Sequence, residues 1–189
     1  MARPGWAAVV VVAGCVVLEG RGLLVDVLPA PAVVLTVVFV VLAAAAVAWP
    51  IAEDPARPGT WSTRRSLGRS AAVAVIGTGA FALGRLVGGG HAPIEATLPL
   101  ILANSLAAVA EEAFFRRLCL ALLLPAGAVW AVVGSAVLFA AVHLTTYGAW
   151  VLPLDLAAGL VFGWQRLASG SWRVPALTHV LVNLLVVMG

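Results

Sequence analysis

The sequence predicts an all-α fold, a polytopic transmembrane helix bundle of about seven spans, and three observations carry that prediction. Of 189 residues, 63% are hydrophobic and only 10% are charged, whereas soluble domains carry about 25% charged residues. Mean hydropathy is +1.11. Apolar runs close to the roughly 20 residues that a spanning helix needs recur along nearly the whole chain, broken by short stretches of Pro, Gly or Arg. Little chain remains for a separate soluble domain. The expected organisation is one membrane domain, with residues 1–95 supplying N-terminal helices and a cytoplasmic loop, and residues 96–189 a helical core that holds the candidate site. The net charge of +3 comes from 11 basic residues, all of them Arg and most of them between apolar runs. A positive-inside bias explains that placement, so the expected partner is a lipid bilayer and not nucleic acid.

The seven expected spans are about 5–22, 31–51, 70–88, 96–123, 127–147, 149–167 and 174–188. Glu19 and Arg21 shorten the first, leaving the stretch to Asp26 interfacial. Val12-Ala13-Gly14-Cys15 has the form of a lipoprotein cleavage box, but the apolar run continues through Leu18 as an uncleaved helix would. Cys15 and Cys119 both lie inside apolar runs, with no disulfide or metal-ligand spacing, and read as packing residues. The stretch from Glu53 to Arg69 mixes charges with Pro55, Pro58, Gly59 and Gly68, which predicts a flexible loop that anchors topology. The fourth span is long enough to tilt or protrude. Pro175 opens the seventh, where its missing N–H costs nothing.

Trp6, Trp49, Trp130, Trp150, Trp164 and Trp172 fall at or near span ends, as an interfacial aromatic belt requires. Arg3, Arg57, Arg64, Arg65, Arg69, Arg166 and Arg173 fall on one side of the predicted membrane, which makes the N-terminus cytoplasmic.

Ionisable residues at membrane depth are costly, and by default they mark a functional site facing the bundle interior. They are concentrated in the last four spans: Glu111, Glu112 and Arg116 in the fourth, His143 in the fifth after Phe139, and His179 with Asn183 in the seventh. Glu112 lies 15 residues before Gly127 and His143 lies 16 after it, so in an antiparallel hairpin both sit roughly 22–24 Å from the turn. Residues four apart share a helix face, which pairs Glu112 with Arg116 and His179 with Asn183. Glu111, about 100° around the helix, remains free to act as a base. Asn104 lies on nearly the same stripe and either lines the Glu111 cavity or bonds a neighbouring helix. Asp155 is expected near an interface, with a role at the site mouth as the alternative.

One buried histidine or one Glu-Arg pair has an ordinary packing explanation. Two carboxylates and two histidines on three helices do not, since lipid offers them no partners. The chemistry they suit is amide hydrolysis: a carboxylate takes a proton from water, an imidazole positions that water, and an imidazole and a carboxamide one turn apart stabilise the oxyanion. Ser105 and Ser135 lack a base at an evident spacing and no Gly-x-Ser-x-Gly occurs. Glu, His and His are also zinc ligands, so a divalent metal held by Glu111, His143 and His179 is the alternative, although no His-Glu-x-x-His is present. Proton-coupled transport would favour inverted repeats, and none is visible.

Glu111-Glu112-x-x-x-Arg116, Phe139-x-x-x-His143 and His179-x-x-x-Asn183, in that order, resemble the CAAX prenyl protease and bacteriocin-processing (CPBP, or Abi) family of membrane proteins. Gly163-Trp164 before a short turn, and Pro175 opening the last helix, fit the same resemblance, which covers residue 96 to the C-terminus. It implies an intramembrane endopeptidase of type II CAAX prenyl protease kind. Glu111 and His143 would activate water, His179 and Asn183 would form the oxyanion site, and Glu112, Arg116 and Phe139 would support them. No cofactor is implied as a requirement, although members have been labelled metalloproteases. The substrate would be a membrane-associated, prenylated or leader peptide, or a membrane protein, and the setting a bacterial cytoplasmic membrane. A noncatalytic scaffold or a bacteriocin self-immunity protein that retains the fold is the competing reading.

Overall fold

The computed structural model describes residues 4–51, 63–88 and 96–188, and among them every regular element is helical. In chain order these are α1 (Pro4–Glu19), α2 (Arg21–Val27), α3 (Pro31–Ala48), α4 (Thr63–Val87) and α5 (Leu98–Glu112). A π-helix (Ala113–Cys119), α6 (Leu120–Leu123) and a 3₁₀ turn (Leu124–Ala126) prolong α5. Then come α7 (Ala128–Ala141), α8 (Leu144–Tyr147), a 3₁₀ turn (Ala149–Val151), α9 (Leu152–Ser169) and α10 (Arg173–Met188). Pro31 and Pro99 each fall in the first turn of their helix, where a proline removes no helical hydrogen bond.

Three helical stretches are long and apolar enough to cross a bilayer: Pro31–Ala48, Leu67–Val87 and Leu98–Ala126. Ala8–Glu19, Ala128–Ala141 and Arg173–Val187 are apolar but shorter. The outer surface of the bundle is apolar, with Val75, Leu86, Leu102, Val129 and Leu154 all exposed, while Glu111, Glu112, Arg116, Gln165 and Thr178 are buried. That distribution suits lipid outside and a polar interior.

The described helices refine the expected spans at four places. The loop expected from Glu53 to Arg69 is shorter, because α4 begins at Thr63; its first part, with Arg57, lies outside the described residues. The fourth span is not a uniform α-helix but opens into a π-helix after Glu112. The fifth, expected to run unbroken over 127–147, stops at Ala141. Val142 and His143 have ψ of −3° and −9°, too flat to continue the α-helical ladder, and α8 then ends at Gly148, whose φ of 84° favours glycine. The stretch beyond Arg21 is a short separate helix, α2. Of the tryptophans expected at the interfaces, Trp6, Trp130, Trp150 and Trp164 are exposed, whereas Trp49 and Trp172 are partly buried against the core. Cys15 and Cys119 are free thiols, and both pack in or against the core.

The antiparallel helices α7 and α9 pack closely against each other, and two glycines set their spacing. A Cβ on Gly159 would lie 2.8 Å from the Cα and Cβ of Ala136, and one on Gly163 would lie 2.8 Å from a methyl of Val132. The register therefore advances by one turn on both helices, and only glycine permits an approach this close. α10 packs on α5, α4 and α9, and α3 packs on α5 and the π-helix. Residues N-terminal to 96 thus help enclose the helices that carry the site.

Candidate active site

The site forms where the π-helix, the break after α7 and the middle of α10 meet. A π-turn leaves backbone carbonyls displaced from the regular ladder, and such turns occur often at functional sites. Here two side chains take up the carbonyls: Ser135 Oγ donates to Phe115 O at 3.0 Å, and Arg166 Nε donates to Arg116 O at 3.2 Å. Ser135 has the structural employment that the absence of a partner base suggested. Arg166, expected at the cytoplasmic end of the sixth span, lies buried in the last turns of α9. Arg117 points the other way and donates to the carbonyls of Ala46 and Trp49, which satisfies the C-terminal end of α3.

Glu111 and His143 are brought together. Glu111 Oε1 lies 3.7 Å from His143 Nε2, and the two residues are 5% and 7% exposed. Glu111, and not Glu112, is the carboxylate that faces His143, and Glu111 and His143 lie equally far in sequence from Gly127. The other ring nitrogen, Nδ1, lies 2.8 Å from Phe139 O. A carbonyl only accepts, so Nδ1 carries the proton, and in the neutral ring Nε2 presents its lone pair toward Glu111.

Glu112 is fully buried and bridges two helices. Its Oε2 lies 3.3 Å from Arg116 Nε, and its Oε1 lies 3.2 Å from His179 Nδ1. The Arg116 pairing follows the four-residue spacing, but the His179 contact does not follow from sequence. Arg116 Nη1 also donates to Ser135 Oγ at 3.2 Å. Its guanidinium lies over Phe139, Phe162 and Phe115 at 4.9, 5.5 and 5.8 Å from the ring centroids. Those ring faces attract a cation, which offsets part of the cost of burying Nε and Nη2 without hydrogen bonds among the described residues.

Phe139 occupies the middle of the cluster, edge-on to Phe115, His143, Phe162 and His179. Phe162 stacks on the His179 ring, with centroids 4.8 Å apart. Asn183 is directed to α5, its Nδ2 donating to the backbone carbonyl of Asn104 at 3.4 Å. The Asn104 side chain donates to Leu100 O at 2.9 Å, so it is engaged by its own helix.

Two residues matter more than the sequence suggested. Asp155, in the first turn of α9, has Oδ2 3.5 Å from His143 Nδ1. Its spacing of four and eight residues from Gly159 and Gly163 was the available signal. Arg21, read only as a charge that shortens the first span, is buried, and its Nη1 donates to Leu18 O at 2.8 Å and to Val142 O at 3.1 Å. Thr145 Oγ1 adds a bond of 2.8 Å to Glu19 O. The α1/α2 corner therefore clamps the helix break that carries His143. Nothing in the local pattern pointed to it, because the partner lies 121 residues away.

For the zinc alternative, the donors were tested as a set. Among the described residues no three His, Cys, Asp or Glu side chains converge as metal ligands. His143 Nδ1 is committed to a carbonyl, and His179 Nδ1 to a carboxylate that also faces a guanidinium. Nε2 of each ring is left open, and an imidazole whose Nδ1–H is held by a carbonyl or a carboxylate is also the form that ligates a metal, so these contacts are compatible with either mechanism.

No curated protein and no solved structure matches the chain. The family model described as type II CAAX prenyl endopeptidase, Rce1-like, matches residues 93–185, a segment that contains every motif residue named above. The family is one of membrane-embedded proteases acting on peptide substrates, in keeping with the three long apolar helices. Residues 93–185 of this integral membrane protein, just under half of the chain, are thus similar to the Rce1-like CAAX endopeptidase family.

Proposed function

We propose that the chain is an intramembrane endopeptidase that hydrolyses a peptide bond by glutamate-activated water. The observation that carries this is the 3.7 Å separation of Glu111 Oε1 and His143 Nε2 in a buried site. That separation is too long for a direct hydrogen bond, yet a water about 2.8 Å from each atom can contact both. The Glu111 carboxylate takes one proton as the water oxygen attacks the scissile carbonyl carbon, and the Nε2 lone pair accepts a hydrogen bond from the other hydrogen. When the C–N bond breaks, Glu111 returns its proton to the leaving amine.

His179 and Asn183 are the proposed oxyanion donors. The ring nitrogen of His179 that does not face Glu112, Nε2, is the one open to the oxyanion. Asn183 retains a second amide hydrogen besides the one facing Asn104. A donor of this kind contributes on the order of 10²–10³ in rate. No step runs through a metal.

The membrane arrangement we propose has about seven crossings, with the N-terminus cytoplasmic in a bacterial membrane. The α7 helix has only 14 residues, about 21 Å, and its crossing is completed by the break and α8. The substrate is a membrane-associated peptide, prenylated or carrying a leader. Comparison of membrane peptides from cells expressing the wild type or Glu111→Gln would reveal the substrate as the species that accumulates in the variant. Purified Glu111→Gln and His143→Ala should then fail to cleave it while folding normally, and undiminished cleavage by either overturns the assignment.

A further inference from the structure

His143 lies between two carboxylates, and the mechanism above uses only one. Glu111 faces Nε2 at 3.7 Å, and Asp155 faces Nδ1 at 3.5 Å. Asp155 Oδ2 is buried without a hydrogen-bond partner among the described residues, although the side chain as a whole is 20% exposed. A carboxylate oxygen turned inward toward an imidazole is costly unless it interacts with that ring. The way α9 packs explains how it arrives there. Asp155, Gly159 and Gly163 are spaced by four on one helix face. The two glycines lie against Ala136 and Val132, and the same register carries Asp155 to the end of α7, beside the break that holds His143.

From this geometry we infer that Asp155 is a positioning residue for His143: its carboxylate supports the Nδ1–H side of the imidazole, so that Nε2 stays directed at Glu111 and the attacking water. The Phe139 carbonyl also accepts from Nδ1, but it is neutral and belongs to the preceding turn of the same segment. Asp155 adds a negative charge from a different helix. It therefore fixes the ring against rotation about the break and favours the polarised state in which His143 holds the water. A carboxylate behind a histidine has this role in hydrolytic triads, where it sets tautomer and orientation without taking the proton.

The inference rests on the reading of His143 as the partner of Glu111, and the experiment separates the two. Wild type, Glu111→Gln, Asp155→Asn and Asp155→Glu are purified in detergent and assayed on the peptide that accumulates in Glu111→Gln cells. The Nδ1–H signals of ¹⁵N-histidine-labelled samples are recorded in parallel. The asparagine variant keeps the size of the side chain and removes the charge. Its expected kcat is lower by roughly 10–100-fold, less than the 10²–10⁴-fold of a direct general acid–base group because Asp155 acts through His143, with KM within about twofold. The glutamate variant should recover part of that loss. In the spectra, the His143 Nδ1–H signal should persist in wild type and Asp155→Glu, and weaken or shift in Asp155→Asn.

An unchanged kcat and an unchanged His143 signal in Asp155→Asn would overturn the inference and leave the carbonyl of Phe139 as sufficient support. Equal losses in both Asp155 variants with a raised KM would also overturn it, because the side chain would then act on substrate. Should Asp155→Asn fail to fold, the comparison of Asp155→Glu with wild type decides: retained activity and an intact His143 signal support the inference, and loss of both overturns it. Retained cleavage by Glu111→Gln would instead sink the catalytic reading itself.

Discussion

His179 Nδ1 lies 3.2 Å from Glu112 Oε1, so the second carboxylate of the Glu-Glu pair holds an imidazole as well as a guanidinium. The two adjacent glutamates are therefore not interchangeable. Removing Glu112 leaves the Arg116 charge fully buried with its main counterion gone, a loss worth about 3–5 kcal/mol. Glu112→Ala should lower the thermal midpoint in detergent sharply, while Glu111→Gln should leave it nearly unchanged and abolish cleavage. Equal midpoints for the two variants would refute this division.

The α7/α9 contact depends on having no side chain at Gly159. Gly159→Ala places a methyl 2.8 Å from the Cα and Cβ of Ala136, and overpacking of this sort costs about 1–3 kcal/mol. Relief requires α9 to move away and to carry Asp155 with it. We expect a lower melting temperature together with reduced kcat. Gly79→Ala, where a Cβ meets nothing within 4 Å, is the control and should leave both values unaffected.

Arg21 connects the N-terminal helices to the site through Val142 O, one residue before His143. Arg21→Gln shortens the reach and weakens two charged hydrogen bonds, each worth about 1.5–3 kcal/mol. Cleavage should fall while the peptide's KM stays near the wild-type value, because the change affects the His143 backbone and not a substrate contact. A measurement showing KM alone affected would assign Arg21 to substrate binding.

Chelation gives a test that needs no mutation. If Glu111 activates water without a metal, exhaustive treatment with a strong chelator should leave the cleavage rate of purified enzyme within about twofold, the scatter expected when no transition-state interaction is lost. Loss of activity restored by added zinc would overturn the metal-free mechanism.

Ser135 tests the accommodation of the π-helix. Its hydroxyl accepts from Arg116 and donates to Phe115 O. Ser135→Ala removes both bonds, at about 1–3 kcal/mol for the groups left unsatisfied. The expected result is a destabilised protein with measurable residual cleavage. Complete loss of cleavage at full stability would instead make Ser135 a reacting group.

Much of this protein is written in local patterns. Hydropathy length located the helices because lipid forces each crossing to satisfy its own backbone, and the four-residue spacing of Glu112 and Arg116 was enough to pair them. The equal distances of Glu111 and His143 from Gly127 were also present in the sequence, where pairing Glu112 with Arg116 left Glu111 as the free carboxylate. The π-helix and the break at Val142 were not legible, since both depend on groups far along the chain: Ser135 and Arg166 receive the displaced carbonyls, and Arg21 takes the carbonyl before His143. Asp155 escaped for a related reason. A single carboxylate near a predicted span end looks like any interfacial charge until close packing at Gly159 and Gly163 carries it to the imidazole. Periodicity assigns a residue to a face of its own helix, but the partner that face meets is set by how closely helices approach, and here small residues and distant hydrogen bonds govern that approach.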